Sequence, residues 1–421
     1  MKTIKHFVML IAIPLVMSAQ ETASKGDIVT HDGYTVVKSL ENDVRNFPYK
    51  DRLEPLLGYV NNQSKGMMGL SKSLNQKLNR GQDVDISIDF ALQIQVENVL
   101  DRYKKSLDAQ EVLAMVMQSD TGQMRVMASS NRYNPNLIRK EDIVSLVPKY
   151  VRYPYEPGSL LKPMTLAIAL EKKRVTPDTL FDLNDGNLNI GHGSILTDAE
   201  IHQALSATDI IVKDSNIGIT QISWLLTAEA FRKGLDSFGL MEMTGIELPS
   251  EKRGYLNSIE KLKDMTIHTS TALGYGLVAT PLQLLKAYNI FNNNGRLINP
   301  TILSNEISTQ RQVISAETAK QMHKILLQKL HNDGNKTVQY DSLEIGGQTA
   351  KAYIFSDGQY RDEFHSSFYG FVNDTQGHKY TIGIVVIRAN ENNGKMGHSC
   401  TVPVVKELID TMLKCEVFCK K

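Results

Sequence analysis

Two strand-length apolar runs near one end of the chain, and two more near the other, constrain its fold more than any other feature. Residues 112–117 carry no polar side chain, Ser119-Asp120-Thr121-Gly122 turns the backbone, and residues 124–128 resume the pattern; together they read as a hairpin. Residues 366–372 and 380–387 repeat the arrangement across a turn at 373–378. Between the two pairs the spacing is helical, over 159–172 behind Gly158, over 208–225, and over 281–292, which opens with a proline where a missing N–H costs nothing. A further helical pattern (Leu92, Ile94, Val96, Val99, Leu100) follows the strand-like residues 84–88, and residues 406–413 close the chain as a helix. Strands at both ends with helices between predict an α/β (α+β) fold, a central antiparallel sheet covered by helices.

The 421 residues suffice for one large domain and a small one. Lys2, Lys5 and His6 precede an apolar run over 7–19, interrupted by Pro14 and ending in Ser18-Ala19. As a helix this run spans about 20 Å, short of the roughly 30 Å hydrocarbon layer. Residues 1–20 therefore read as a signal peptide or membrane anchor, with cleavage favoured, and the remainder as exported. Residues 24–84 are short-patterned and turn-rich, with Asp32-Gly33 marking a hairpin, and form a small accessory region before a main domain over 85–421.

A net charge of +1 gives no electrostatic footprint for nucleic acid. Cys400, Cys415 and Cys419 are odd in number and lack a CxxC pair, so neither a disulfide framework nor a zinc site is expected. The histidines, His365 and His398 included, show no ligand spacing, and no metal or cofactor is expected. Met115, Met117, Met124 and Met127 alternate along strands as core residues do.

The chemistry lies in Ser159-Leu160-Leu161-Lys162, a hydroxyl and an amine one helical turn apart on one face. If that face is buried, an amine there can take the serine proton. The spacing alone is weak, since Ser258-Ile259-Glu260-Lys261 repeats it and reads as a surface accident. What distinguishes the first copy is Glu156-Pro157-Gly158 ahead of it, a turn that delivers the serine to a helix N-terminus, where developing negative charge is favoured.

In this setting the run resembles the active-site serine motif of penicillin-binding transpeptidases. Other segments match that family in order. Asp120-Thr121-Gly122 and Asn134-Pro135-Asn136 precede the serine, and Asp214-Ser215-Asn216-Ile217-Gly218 stands where Ser-x-Asn belongs. Gly274-Tyr275-Gly276 with Thr280-Pro281-Leu282-Gln283 is similar to a further family segment. Gly346-Gly347-Gln348-Thr349-Ala350 falls where Lys-Thr-Gly belongs, ahead of Phe368-Tyr369-Gly370-Phe371. Lys25-Gly26-Asp27-Ile28 resembles the opening motif of class B members, which makes residues 24–84 a shortened pedestal. The resemblance implies the penicillin-recognising serine transferase fold and a peptidoglycan D,D-transpeptidase held at the periplasmic face of a bacterial inner membrane. Its partners would be stem peptides, β-lactams and cell-wall synthase or divisome membrane proteins. It further implies Ser159 as nucleophile, Lys162 as general base, and Asp214 and Asn216 in the second motif. Gln348, Thr349, Ala350 and Lys351 would lie along the substrate, Thr349 on its carboxylate and the Ser159 and Lys351 amides in the oxyanion hole.

Two motifs depart from the pattern. Asp214 replaces serine, and Gln348-Thr349-Ala350 replaces Lys-Thr-Gly, with Lys351 beyond. Gln348 removes a positive charge near the base and Asp214 adds a negative one, so both favour the ammonium form of Lys162. The Ala350 methyl group is expected to intrude on a substrate strand, and Lys351, three residues from Gln348, to point to the other face. The expectation is an impaired transpeptidase. The alternatives are a non-catalytic scaffold in cell-wall assembly and, less favoured, a β-lactamase or carboxypeptidase, for which no deacylating glutamate is evident.

Overall fold

The computed structural model describes residues 25–332, 338–389 and 397–418. Residues 1–20, expected as a signal peptide or membrane anchor, and Cys419 lie outside them. Among the described residues, no helix is long and apolar enough to cross a membrane.

The accessory region builds a small sheet from β1 (Ile28–Thr30), β2 (Thr35–Ser39), β3 (Arg45–Asn46) and β4 (Val84–Ile86), in the order β3-β2-β1-β4. The Asp32-Gly33 turn joins β1 to β2, antiparallel, as its sequence predicts. Strand β4 pairs parallel with β1, so the line expected between 84 and 85 passes through a strand. Helix α1 (Phe90–Ser106) follows, capped by Asp89, whose carboxylate accepts the Leu92 N–H. The Asp32 carboxylate also accepts the N–H groups of Phe90 and Ala91 at 2.9 and 3.0 Å, which fastens the hairpin to the positive end of the helix.

The main sheet contains β5 (Glu111–Gln118), β6 (Met124–Ser129), β7 (Leu343–Ser356), β8 (Gln359–Asp374) and β9 (Lys379–Ala389), in the order β7-β8-β9-β5-β6 with every neighbour antiparallel. Strand β5 reads as an unbroken apolar run because both its faces are buried. Register sorts the side chains. The row Gln348, Tyr369, Gly383, Met115, Met127 crosses the sheet on one face, and the row Thr349, Phe368, Ile384, Ala114, Ala128 on the other. Helix α1 and the C-terminal helix (Gly397–Lys414) cover the Thr349 face.

Against the Gln348 face lie α2 (Lys162–Glu171), α3 (Ala207–Val212), α4 (Asn216–Trp224) and α5 (Pro281–Asn292). The apolar residues of the accessory region, Ile28, Phe47 and Leu53 among them, belong to the same continuous core as Met115 and Tyr369. The single helix expected over 208–225 is two helices. Val212 ends the first, Asp214 takes φ +59°, and Ser215 caps the second by accepting the Gly218 N–H at 2.9 Å. The Ser215 and Asp214 amides bond back to the carbonyls of Ile210 and Ile211, a Schellman ending with aspartate in the left-handed position. Apolar spacing continues on both sides of this break, so periodicity alone does not reveal it.

Candidate active site

The chain reaches Ser159 through Gly158, whose φ is +57°. A Cβ at Gly158 would stand 3.3 Å from both the Ala352 Cβ and the Lys351 carbonyl, so this turn lies directly on the edge strand β7. On its other side Gly274 accepts the Gly158 N–H at 3.1 Å, and a Cβ on Gly274 would fall 2.0 Å from the Gly158 oxygen. Glu156 accepts the Gly276 N–H at 2.7 Å, and burial raises its carboxyl above the ordinary range. The Gly-x-Gly sequence therefore supports the serine turn from behind. Thr280-Pro281-Leu282-Gln283 is a capping box that starts α5, with the Thr280 hydroxyl accepting the Gln283 N–H and Gln283 Oε1 accepting the Thr280 N–H. From α5 the Tyr288 hydroxyl donates to the Leu160 carbonyl at 2.8 Å.

Ser159 is half-buried in a 3-10 turn (Gly158–Leu161) that runs into α2. Lys162 follows one turn later and is 1 % exposed. Its Nζ donates to the Asp214 carbonyl at 2.7 Å and to Asp214 Oδ1 at 2.9 Å. The left-handed backbone of Asp214 turns both oxygens towards one amine. Gln348, also 1 % exposed, donates from Nε2 to the Thr349 carbonyl at 2.8 Å and to Asp214 Oδ1 at 3.4 Å. Asp214 therefore joins the lysine to Gln348, which departs from the family pattern with it. Among the described residues, both acceptors that Lys162 reaches belong to Asp214.

Asn216 opens α4 half-buried, and its amide donates to the Asp198 carboxylate at 2.5 Å. Ser215 does not stand in for the missing serine of the second motif. It is 3 % exposed, and its hydroxyl is spent on Asp198 and on the helix cap. On β7, Thr349 and Lys351 belong to the opposite face from Gln348, and Lys351 Nζ lies 4.1 Å from the ring centre of Phe364 and 4.8 Å from that of Tyr353. The expected intrusion of Ala350 is not met. The residue is 4 % exposed and packs in the core with Tyr369, because its register directs the methyl group inward. The second copy of the motif, Ser258 to Lys261, is exposed at both ends.

Sequence reasoning overlooked three supports. Glu156 was visible as a carboxylate directly before the Pro-Gly turn, whereas Asp198 carried no local signal. The third is a polar layer under the serine turn. Tyr155 lies 3.0 Å from Ser367 Oγ and, pushed up to about 12 by burial, keeps its proton. His365 lies 3.2 Å from the Tyr153 hydroxyl and is held neutral, pushed down to about 4 by burial and by the nearby Arg388 and Lys149.

Comparison with known proteins agrees with this geometry. Residues 112–410 match the family described as the penicillin binding protein transpeptidase domain. The peptidoglycan D,D-transpeptidase FtsI of Buchnera aphidicola subsp. Baizongia pistaciae is 26 % identical over 421 aligned positions, covering 89 % of this chain and 70 % of that protein. The penicillin-binding protein PbpB of Mycolicibacterium smegmatis is 25 % identical, covering 91 % of this chain and 66 % of its own length. Penicillin binding protein 3 of Mycobacterium tuberculosis, solved alone and with aztreonam or ampicillin, superposes with a TM-score of 0.85 at 24 % identity, over 94 % of this chain and 96 % of that one. The chain, whose Ser159 and Lys162 lie one helical turn apart against the edge of a five-stranded antiparallel sheet, belongs to the penicillin-binding protein transpeptidase family as a class B member.

Proposed function

We propose that this chain is a peptidoglycan D,D-transpeptidase of reduced rate. The Ser159 oxygen attacks the penultimate D-Ala carbonyl of a stem peptide, the peptide bond breaks, and the terminal residue leaves as an amine that takes up a proton. The amine of a second stem peptide then attacks the ester, forming the cross-link and restoring the Ser159 hydroxyl. Lys162 is the base, Asn216 orients the donor, and the Ser159 and Lys351 amides bind the oxyanion. The single observation that carries this reading is Ser159 held one helical turn before a buried Lys162, at the edge of β7.

The reduced rate follows from the bonding of Lys162. Its Nζ donates to Asp214 at 2.7 and 2.9 Å, and among the described residues no hydrogen bond joins it to Ser159. Loss of general-base catalysis typically costs about 10²–10⁴ in rate. The same bonding favours a second reading, a wall-assembly scaffold that retains the fold without the chemistry. In both readings the protein works on the exported side of the inner membrane, beside cell-wall synthase or divisome proteins.

The test is acylation by a fluorescent penicillin with long incubation, read by mass spectrometry beside Ser159→Ala. A slow adduct confined to Ser159 is the expected result. No adduct from folded protein, together with normal growth and cell shape of a Ser159→Ala strain, leaves the scaffold.

A further inference from the structure

Past the serine turn, β7 and β8 run on as a ribbon that closes at Asp357-Gly358, with φ of +52° and +80°. Two successive positive angles are what a tight hairpin requires. The turn is fastened, since Arg361 donates to Ser356 Oγ at 3.0 Å and to Asp357 Oδ2 at 2.6 Å. Tyr353 takes the Lys351 ammonium over its ring, whereas Phe355, beyond a slip in register, meets Tyr360 at 5.1 Å between ring centres. Tyr360 in turn meets Tyr275 edge-on at 5.7 Å. Tyr275 stands between Gly274 and Gly276, the glycines that back the serine turn. The rings of Tyr275, Tyr360 and Phe355 thus form one row from that turn to the hairpin tip. Phe355 is 56 % exposed and Tyr360 50 %, an apolar patch on a rigid support beside the nucleophile.

From this arrangement, and resting on the acyl-transfer reading above, we propose that the ring row binds the N-acetylated amino sugar at the amino end of the acyl donor. Direction and reach carry the assignment. With its terminal carboxylate at Thr349 and its scissile carbonyl at the Lys351 amide, a donor laid on the free edge of β7 runs antiparallel to that strand. Its upstream residues then follow β7 from Lys351 to Ser356, about 17 Å at about 3.4 Å per residue. A stem peptide is of that length, so the group that arrives at the hairpin tip is the sugar to which the stem is joined. A sugar ring offers a face of C–H bonds, which lies on the electron-rich faces of aromatic rings. Its rim of hydroxyl and amide groups can bond the exposed Asp357 and Gln359 at the tip. An apolar chain would use the rings and leave these polar neighbours unmet.

The experiment uses the full chain as Ser159→Ala, its fold checked against the parent by circular dichroism. Calorimetric titration compares a stem peptide carrying N-acetylmuramic acid at its amino end with the same peptide capped there by acetyl. The sugar-bearing peptide is expected to bind about tenfold more tightly. Adding Phe355→Ala or Tyr360→Ala, both at exposed positions, is expected to bring that ratio close to one. Equal binding of the two peptides, a ratio unmoved by both changes, or no binding of either overturns the inference. Muramyl dipeptide, which lacks the D-Ala end, tests the rings apart from acyl transfer. Saturation-transfer NMR should show its sugar protons receiving magnetisation from the parent protein and losing it with Phe355→Ala, and no transfer from the parent overturns the sugar site. Failure of penicillin to label Ser159, with that transfer intact, counts against the acyl-transfer reading alone.

Discussion

Lys286 is a side chain at odds with its surroundings. It projects from α5 into the core with no exposed surface; among the described residues its Nζ has no hydrogen-bond partner, and the carboxylate it pairs with, Glu242, is 3.9 Å away and already bound by Arg311. Burial lowers its pKa to about 8 from an ordinary value near 10.5. Between those values the unfolded chain binds more protons than the folded one, so stability rises with pH across that window. The protonated amine costs on the order of 3 kcal/mol below pH 8, since each unit is worth about 1.4 kcal/mol. Lys286→Met should therefore raise the melting temperature at pH 7 and flatten its pH dependence between 8 and 10.5; an unchanged slope would assign that dependence elsewhere. Asp214 and Lys162 are the contrasting case of a buried cation that is satisfied. Asp214→Ser should lower stability, because it strands a buried amine, while speeding Ser159 acylation by about tenfold or more. Stopped-flow labelling beside thermal melts separates the two effects.

At the scale of elements, the serine turn depends on what stands behind it. Thr280 is fully buried and caps α5, from which Tyr288 reaches the Leu160 carbonyl. Thr280→Ala should cost about 1–2 kcal/mol, and the deficit should appear in chemical denaturation as a lower midpoint with an unchanged slope. This helix was legible in full, because proline at its start and Thr-x-x-Gln at its cap are local chemistry, and the structure places it at Pro281–Asn292 as the sequence implies. The paired strands 112–117 and 124–128 were legible for a similar reason, an apolar run on each side of a Thr-Gly turn. The break at Asp214 was not, since Ile210, Ile211, Ile217 and Ile219 keep a helical spacing across it and only a backbone angle marks it. The packing of Ala350 was equally hidden, because it depends on a register set by partner strands rather than on its own neighbours in sequence. The order of the motifs suggested that Asp214 and Lys162 belong together. The bond from Gln348 to Asp214 required the folded sheet.

At the scale of the molecule, the accessory region is no detachable ornament. Leu53, Leu56 and Leu57 are fully or almost fully buried, and the Leu53 amide donates to Glu97, a buried carboxylate raised by burial against the pull of Arg132. Removing residues 25–83 should therefore yield aggregated protein instead of a trimmed domain, as read by size-exclusion chromatography; a monomer with the parent's melting curve would contradict this. One further consequence follows from the sheet order. Strand β5 finds its central partner in β9, so that Val116 waits for Ile382. As the chain emerges, its early hairpin keeps one long apolar edge open until residues 380–387, more than 250 positions later, have appeared. The protein's fate as a folded object is thus decided late, and the interval before closure is when it most needs protection from its own kind.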